Sequence, residues 1–108
     1  MKRVPPAKPS PSQNKRGQYL LRLFIAGNGS NSQQALINLR QLCQEHLNGR
    51  YTLEVVDVVL DFQAAVRDNI LVTPALIMVT PRPRVMILGN LGDMRKVLVA
   101  LRLPGIPS

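Results

Sequence analysis

Tryptophan is absent from this chain, which holds only two tyrosines, two phenylalanines, one cysteine, one histidine and six acidic residues. Each scarcity excludes something. A lone Cys43 forms no internal disulfide and no multi-cysteine zinc site, and it fits a reducing compartment. His46 has no second histidine with which to share a metal. Binding single-stranded nucleic acid needs aromatic rings interleaved with basic residues. Here Tyr19 and Phe24 sit in an apolar run and Tyr51 and Phe62 stand alone, so no specific nucleic-acid partner is expected. The apolar runs around Ile70 to Val79 and Val97 to Leu101 fall well short of the roughly 20 residues that span a bilayer. Lys2 and Arg3 lead into prolines and polar residues rather than an apolar stretch, so no secretory leader is expected either. Together these readings predict a cytoplasmic protein without membrane attachment.

What the chain does have is positive charge, a formal +8, unevenly spread. Lys2, Arg3, Lys8, Lys15 and Arg16 lie in residues 1–18 with no acid among them, and four prolines precede Asn14. With no apolar period, residues 1–18 read as a disordered, basic, proline-rich tail, solubilising or acting as a weak tether to an acidic surface. Residues 19–103 read as one domain, long enough to bury a core without disulfide or metal, and residues 104–108 as a short tail.

Within that domain Tyr19 to Ile25 is nearly continuous and apolar, a central strand that ends at Ala26-Gly27-Asn28-Gly29. Ser30 or Ser32 can cap the following helix, and Ser30 with Gln33 has the capping-box form. Ala35, Leu36, Leu39, Leu42, Cys43, His46 and Leu47 share one helical face, and Asn48-Gly49 offers a left-handed exit. Tyr51 to Leu60 is rich in valine around Asp57 and predicts a second strand, parallel to the first through a right-handed crossover. Asp61 can cap a short helix reaching Asp68 or Asn69. Thr73-Pro74 then leads into a strand over Ala75–Val79, which pairs with Val85–Leu88 across the Pro81-Arg82-Pro83 turn. A last helix follows Asp93, with Leu91, Met94, Val97, Leu98 and Leu101 on its apolar face. The order βαβαββα is the minimal thioredoxin-like α/β arrangement. Pro74 stands where thioredoxin-like folds carry a cis-proline, although only about 5–6% of X–Pro bonds in folded proteins are cis.

The chemistry of a thioredoxin is missing. Disulfide exchange needs Cys-x-x-Cys where the first strand turns into the first helix, and that place holds Gly29-Ser30-Asn31-Ser32. Cys43 falls in mid-helix on the apolar side, as an inert packed thiol does. Asp57 has no partner acid, base or nucleophile in sight and reads as a strand-end carboxylate bonded to a neighbouring loop. Gly27-Asn28-Gly29 matches neither phosphate-binding glycine pattern and reads as a tight turn. No catalytic residue, metal ligand or cofactor is expected, and the chain reads as a binding module.

Taken together, Tyr19–Asn28, Asn31-Ser32, Gly49-x-Tyr51, Val55-Val56-Asp57-Val58, Asp68-x-Ile70-Leu71-x-Thr73-Pro74, Pro81-x-Pro83 and Gly89-x-Leu91 resemble the KaiB family of bacterial circadian-clock proteins. They also look like the KaiB-like sensor domain of SasA histidine kinases. The resemblance runs from about residue 19 to 103. It implies a non-enzymatic protein that docks on the N-terminal ATPase ring of a KaiC-type hexamer, with KaiA or a SasA-type kinase as further partners. It also implies two possible folds, a tetrameric βαββααβ state and a monomeric thioredoxin-like state, in monomer–tetramer equilibrium. A sensor module in a kinase or stress pathway outside a true oscillator is the alternative.

The partner-binding candidates so implied are Asn28 and Asn31 in the first turn, Tyr51 and Glu54 on the second strand, and Gln63, Asp68, Asn69 and Thr73 between Asp61 and Thr73. Several positions depart from the family pattern. Asn69 replaces a lysine, Val59-Leu60-Asp61-Phe62 replaces L-K-N-P, and Ala65-Val66-Arg67-Asp68 replaces A-E-E-D. Ala100 and Arg102 stand for a glycine and an aspartate, and the acidic C-terminal tail common in clock members is missing. Alanine in place of glycine favours a helix by roughly 1 kcal/mol, and a basic residue suits a helix C-terminus. Ala100 and Arg102 therefore predict a bias toward the thioredoxin-like state.

Overall fold

The computed structural model describes residues 18–103, and the two tails predicted from sequence lie outside them except for Gln18. Strand β1 (Tyr19–Ile25) leads to helix α1 (Ser30–Leu42), extended by a π-helical turn over Cys43–Leu47. Strand β2 (Tyr51–Asp57), helix α2 (Phe62–Arg67), strands β3 (Ala75–Thr80) and β4 (Val85–Leu88) and helix α3 (Met94–Ala100) follow. The order is βαβαββα, as the periodicities predict.

The strands lie in the order β2-β1-β3-β4. β1 and β2 are parallel with Leu21 beside Leu53, whereas β3 runs antiparallel to both β1 and β4. The period-two alternation of side chains gives the sheet two apolar faces. Leu21, Leu23, Leu76 and Met78 meet Leu39, Leu42, Leu47, Val97 and Leu101 of the α1 and α3 side. Phe24, Ala75 and Ile77 meet Ala64 of α2 on the other. Each fully buried leucine contributes about 1.5–3 kcal/mol, so the larger face carries most of the stability. The opposite face is covered by six residues of helix, and Met86 and Leu88 of β4 remain exposed on it.

Two local details differ from expectation, at the end of β2 and the start of α1. Strand β2 stops at Asp57, not Leu60, because the Asp57 carboxylate accepts from the amide of Val59 at 3.0 Å and closes a turn before the valine run ends. Helix α1 has Gly29 at its N-cap and no side-chain cap, so no capping box forms; the first intrahelical bond runs from the Gln33 backbone amide to the Gly29 carbonyl at 3.0 Å. Arg102 lies beyond the α3 C-cap, Leu101, in a left-handed conformation (φ 56), and its guanidinium donates to the Pro83 carbonyl at 3.5 Å. Ala100 is the last residue of α3.

The other caps agree with the sequence. Asp61 and Asp93 accept from the amides of Ala64 and Lys96, and α1 exits through Asn48 (φ 42) and Gly49 (φ 85). The Thr73–Pro74, Thr80–Pro81 and Arg82–Pro83 peptide bonds are cis.

Candidate partner-binding site

The turn after β1 is built by hydrogen bonds to two side chains. The amide of Ala26 donates to the Ser32 hydroxyl at 3.2 Å, and the amide of Gly27 donates to Asp57 Oδ1 at 3.0 Å. Gly27 has φ +59, a region that costs glycine nothing. Beyond the turn Asn28 and Asn31 are exposed, and both lie in amide contacts. Asn28 Oδ1 accepts from Gln33 at 3.4 Å, and Asn31 Oδ1 accepts from Asn90 Nδ2 at 3.3 Å. Asn90 in turn accepts through its carbonyl from Asn38 at 2.8 Å and through its side chain from the amide of Gly92 at 2.9 Å. An amide network therefore occupies the place where a thioredoxin carries its thiols. Asn90 was missed by sequence reasoning, although its place in Gly89-Asn90-Leu91-Gly92 marks a turn.

Cys43 is fully buried 13 residues beyond Ser30, and burial pushes its thiol up to about 11. A protonated, enclosed thiol is a poor nucleophile. Among the described residues no group of three His, Cys, Asp or Glu side chains is placed to hold a metal.

The segment from Val58 to Thr73 is different in character. Ala64 and Ala65 are buried, while most of the exposed residues of the segment are apolar. Leu71 is 92% exposed, Leu60 84%, Val59 68% and Phe62 66%, with Val66 and Val72 each more than half exposed. Scattered apolar residues are ordinary on a surface, but six within fourteen positions of one helix and its flanks mark a contact surface.

Beside this apolar set lies an ion network. The Arg22 guanidinium donates to Glu54 at 2.7 Å and to Asp68 at 3.0 Å, and Arg84 approaches the other Asp68 oxygen at 3.6 Å. Burial works against the Arg22 charge, but the bonds from Glu54 and Asp68 outweigh it, so its pKa is raised. The network borders a recess of about 240 Å³, with Asp61 and Arg67 also at its wall.

Of the sequence candidates, Asp68 and Glu54 thus meet through Arg22. Gln63 and Asn69 are exposed along α2 and its exit, and Thr73 is half-buried before Pro74. Asn69 has φ 57, a left-handed conformation that asparagine enters more readily than most other side chains. Tyr51 is half-buried on β2, an edge strand, apart from Asn28 and Asn31 at the far end of the sheet.

Fold and site together define a thioredoxin-like domain with no thiol at the redox position and an open apolar surface around its second helix. Residues 22–103 match the KaiB domain, and the chain belongs to the KaiB family. It is 43% identical over 90 residues to the circadian clock oscillator protein KaiB of Prochlorococcus marinus (strain NATL2A), covering 83% of this chain and 84% of that protein. It is likewise 43% identical over 84 residues to the circadian clock protein KaiB3 of Synechocystis, covering 78% and 82%. Among solved structures, the N-terminal domain of Synechococcus elongatus SasA is similar at a TM-score of 0.65 and 22% identity, covering 99% of each chain. Chloroplastic thioredoxin z is similar at 0.67 and 18%, covering 81% of this chain and 79% of that one. These two likenesses show the fold alone.

Proposed function

We propose that this chain is a non-enzymatic clock or timing protein that docks on the ATPase ring of a KaiC-type hexamer and modulates its phosphorylation state or output. The observation that carries the reading is the exposed apolar set of Val59, Leu60, Phe62, Val66, Leu71 and Val72, which brackets Gln63, Asp68 and Asn69. Burying such side chains at an interface releases ordered water, and a rim of charged groups then sets the register. Asp68, Arg67 and Arg22 supply that rim. The edge strand β2, with Glu54 exposed, offers a second surface for KaiA or a SasA-type kinase by strand addition. The protein acts in the cytoplasm, in equilibrium between monomer and tetramer.

Size-exclusion chromatography with light scattering tests this, on the protein alone and after overnight mixing with the host's KaiC-type proteins and ATP. The expected result is a new peak with the mass of a ring plus several small subunits. Absence of any shift with every KaiC-type protein of the host would overturn the proposal while leaving the family membership intact.

A further inference from the structure

Two asparagines of the chain precede a glycine, in Asn28-Gly29 and Asn48-Gly49, and all four residues are exposed. The side-chain amide of such an asparagine is open to attack by the next backbone nitrogen, because glycine has no Cβ to crowd the approach. The fold treats the two sites differently. Asn48 has φ 42 and ψ 54, and its turn is fastened on both sides: its own amide donates to the Cys43 carbonyl at 3.0 Å, and the Arg50 amide donates to the Leu47 carbonyl at 2.7 Å. In this left-handed conformation Cβ lies against the residue's own carbonyl oxygen. The Gly49 nitrogen, on the other side of the carbonyl carbon, therefore points away from the Asn48 side chain. Asn28 is outside the left-handed region, and among the described residues its side chain is held only by Oδ1 accepting from Gln33 at 3.4 Å. The Gly29 amide donates to no described residue, and Gly29 (φ −58, ψ 150) stands one position ahead of α1. Asn31, Asn38, Asn69 and Asn90 are followed by Ser32, Leu39, Ile70 and Leu91, whose side chains shield the attacking nitrogen.

We propose that Asn28 is a site of spontaneous covalent modification, converted through attack by the Gly29 nitrogen to aspartate or isoaspartate, while the left-handed turn protects Asn48. The Gly29 nitrogen bonds to Asn28 Cγ as the Cγ–Nδ2 bond breaks, and Nδ2 leaves as ammonia with the proton that the Gly29 nitrogen gives up. Water then opens the cyclic imide at either of its carbonyls, which yields the ordinary aspartyl linkage or the isoaspartyl one. The balance is an amide and a water converted to a carboxylate and an ammonium ion, with no oxidant or reductant. The product suits its place. Helix α1 starts with no side-chain cap and no acid in its first turn. A carboxylate at position 28 adds negative charge at the positive end of that helix, and it accepts from Gln33 more strongly than the amide does. The isoaspartyl form also lengthens the main chain by a methylene just ahead of the helix. The reaction thus marks older molecules with a new charge at an exposed turn, whichever partner that turn meets.

The test is peptide-mapping mass spectrometry of the full chain incubated in neutral buffer, folded and in urea, with fragmentation to place the modified residue and an isoaspartyl methyltransferase assay for the linkage. In the folded chain Asn28 should gain the mass of the amide-to-acid exchange about tenfold faster than Asn48, with isoaspartate appearing in step. In urea the two rates should converge, since only the folded turn separates them. Gly29→Ala should slow the reaction at Asn28 by about tenfold or more. Its circular dichroism should be unchanged, because φ −58 suits alanine and the added Cβ meets nothing nearer than the Ala26 carbonyl oxygen at 3.8 Å. The comparison of folded and urea-treated protein needs no variant, so the test stands even if Gly29→Ala misfolds. Equal rates at Asn28 and Asn48 in the folded chain, or reaction at Asn28 no faster than at Asn31, overturns the proposal.

Discussion

Arg22 and Asp68, 46 positions apart in sequence, are joined at 3.0 Å and fasten the exit of α2 to the middle of β1. Helix α2 has six residues, too few to hold itself together without packing. Replacing Asp68 with alanine leaves Arg22 with Glu54 alone and releases Arg84. The expected cost is about 1–2 kcal/mol, since the bond is charge-assisted but partly open to solvent. Urea denaturation measures it, and hydrogen exchange should quicken first in α2.

Asp57 ties two loops with one oxygen, accepting from Gly27 and Val59 at 3.0 Å each. Asp57→Ala leaves both amides seeking partners and should destabilise the fold by about 1–3 kcal/mol. Asp57→Asn keeps an acceptor and should cost less. A variant pair of equal stability would sink this account of how β2 ends.

Asn69 leaves α2 in the left-handed region. Asn69→Lys should cost about 1 kcal/mol and Asn69→Gly should be neutral or stabilising, because a Cβ crowds the following carbonyl in this conformation. Thermal denaturation of the two variants side by side reads the order directly.

Phe62 and Leu71 project from the apolar set without supporting the core. Phe62→Glu and Leu71→Glu should each leave stability within about 0.5 kcal/mol of the unsubstituted protein. Each should also weaken the complex with the KaiC-type ring by about tenfold or more, as loss of a central apolar contact does. Full retention of ring binding by both variants would place the docking surface elsewhere.

The Cys43 thiol is raised to about 11 by burial, so the folded protein keeps its proton where the unfolded chain loses one. The stability that this protonated, buried thiol contributes is intact below the ordinary value of 9.0 and is lost as pH rises toward about 11. Thermal denaturation between pH 8 and 11 should show the fall, and Cys43→Ala or Cys43→Ser should flatten it. A thiol-reactive dye at pH 8 should label Cys43 only after unfolding.

Much of the architecture was legible because local periodicity carries it. The alternating apolar residues of β1, the three- and four-residue spacing of α1 and α3, and the aspartates that cap α2 and α3 each announce an element from its own neighbourhood. The valines after Asp57 misled for the same reason. β-branched residues read as strand, but a carboxylate bonded to its own chain two residues on closes the turn first.

The sequence by itself determined the order of elements, the missing thiols at the redox position and the family to which the chain belongs, since each is written in contiguous residues. Only the tertiary structure decided that Asn31 meets Asn90 and that Asp68 is shared between Arg22 and Arg84. Those relationships depend on sheet register and on which strand lies beside which, and strand register joins residues that no local pattern connects.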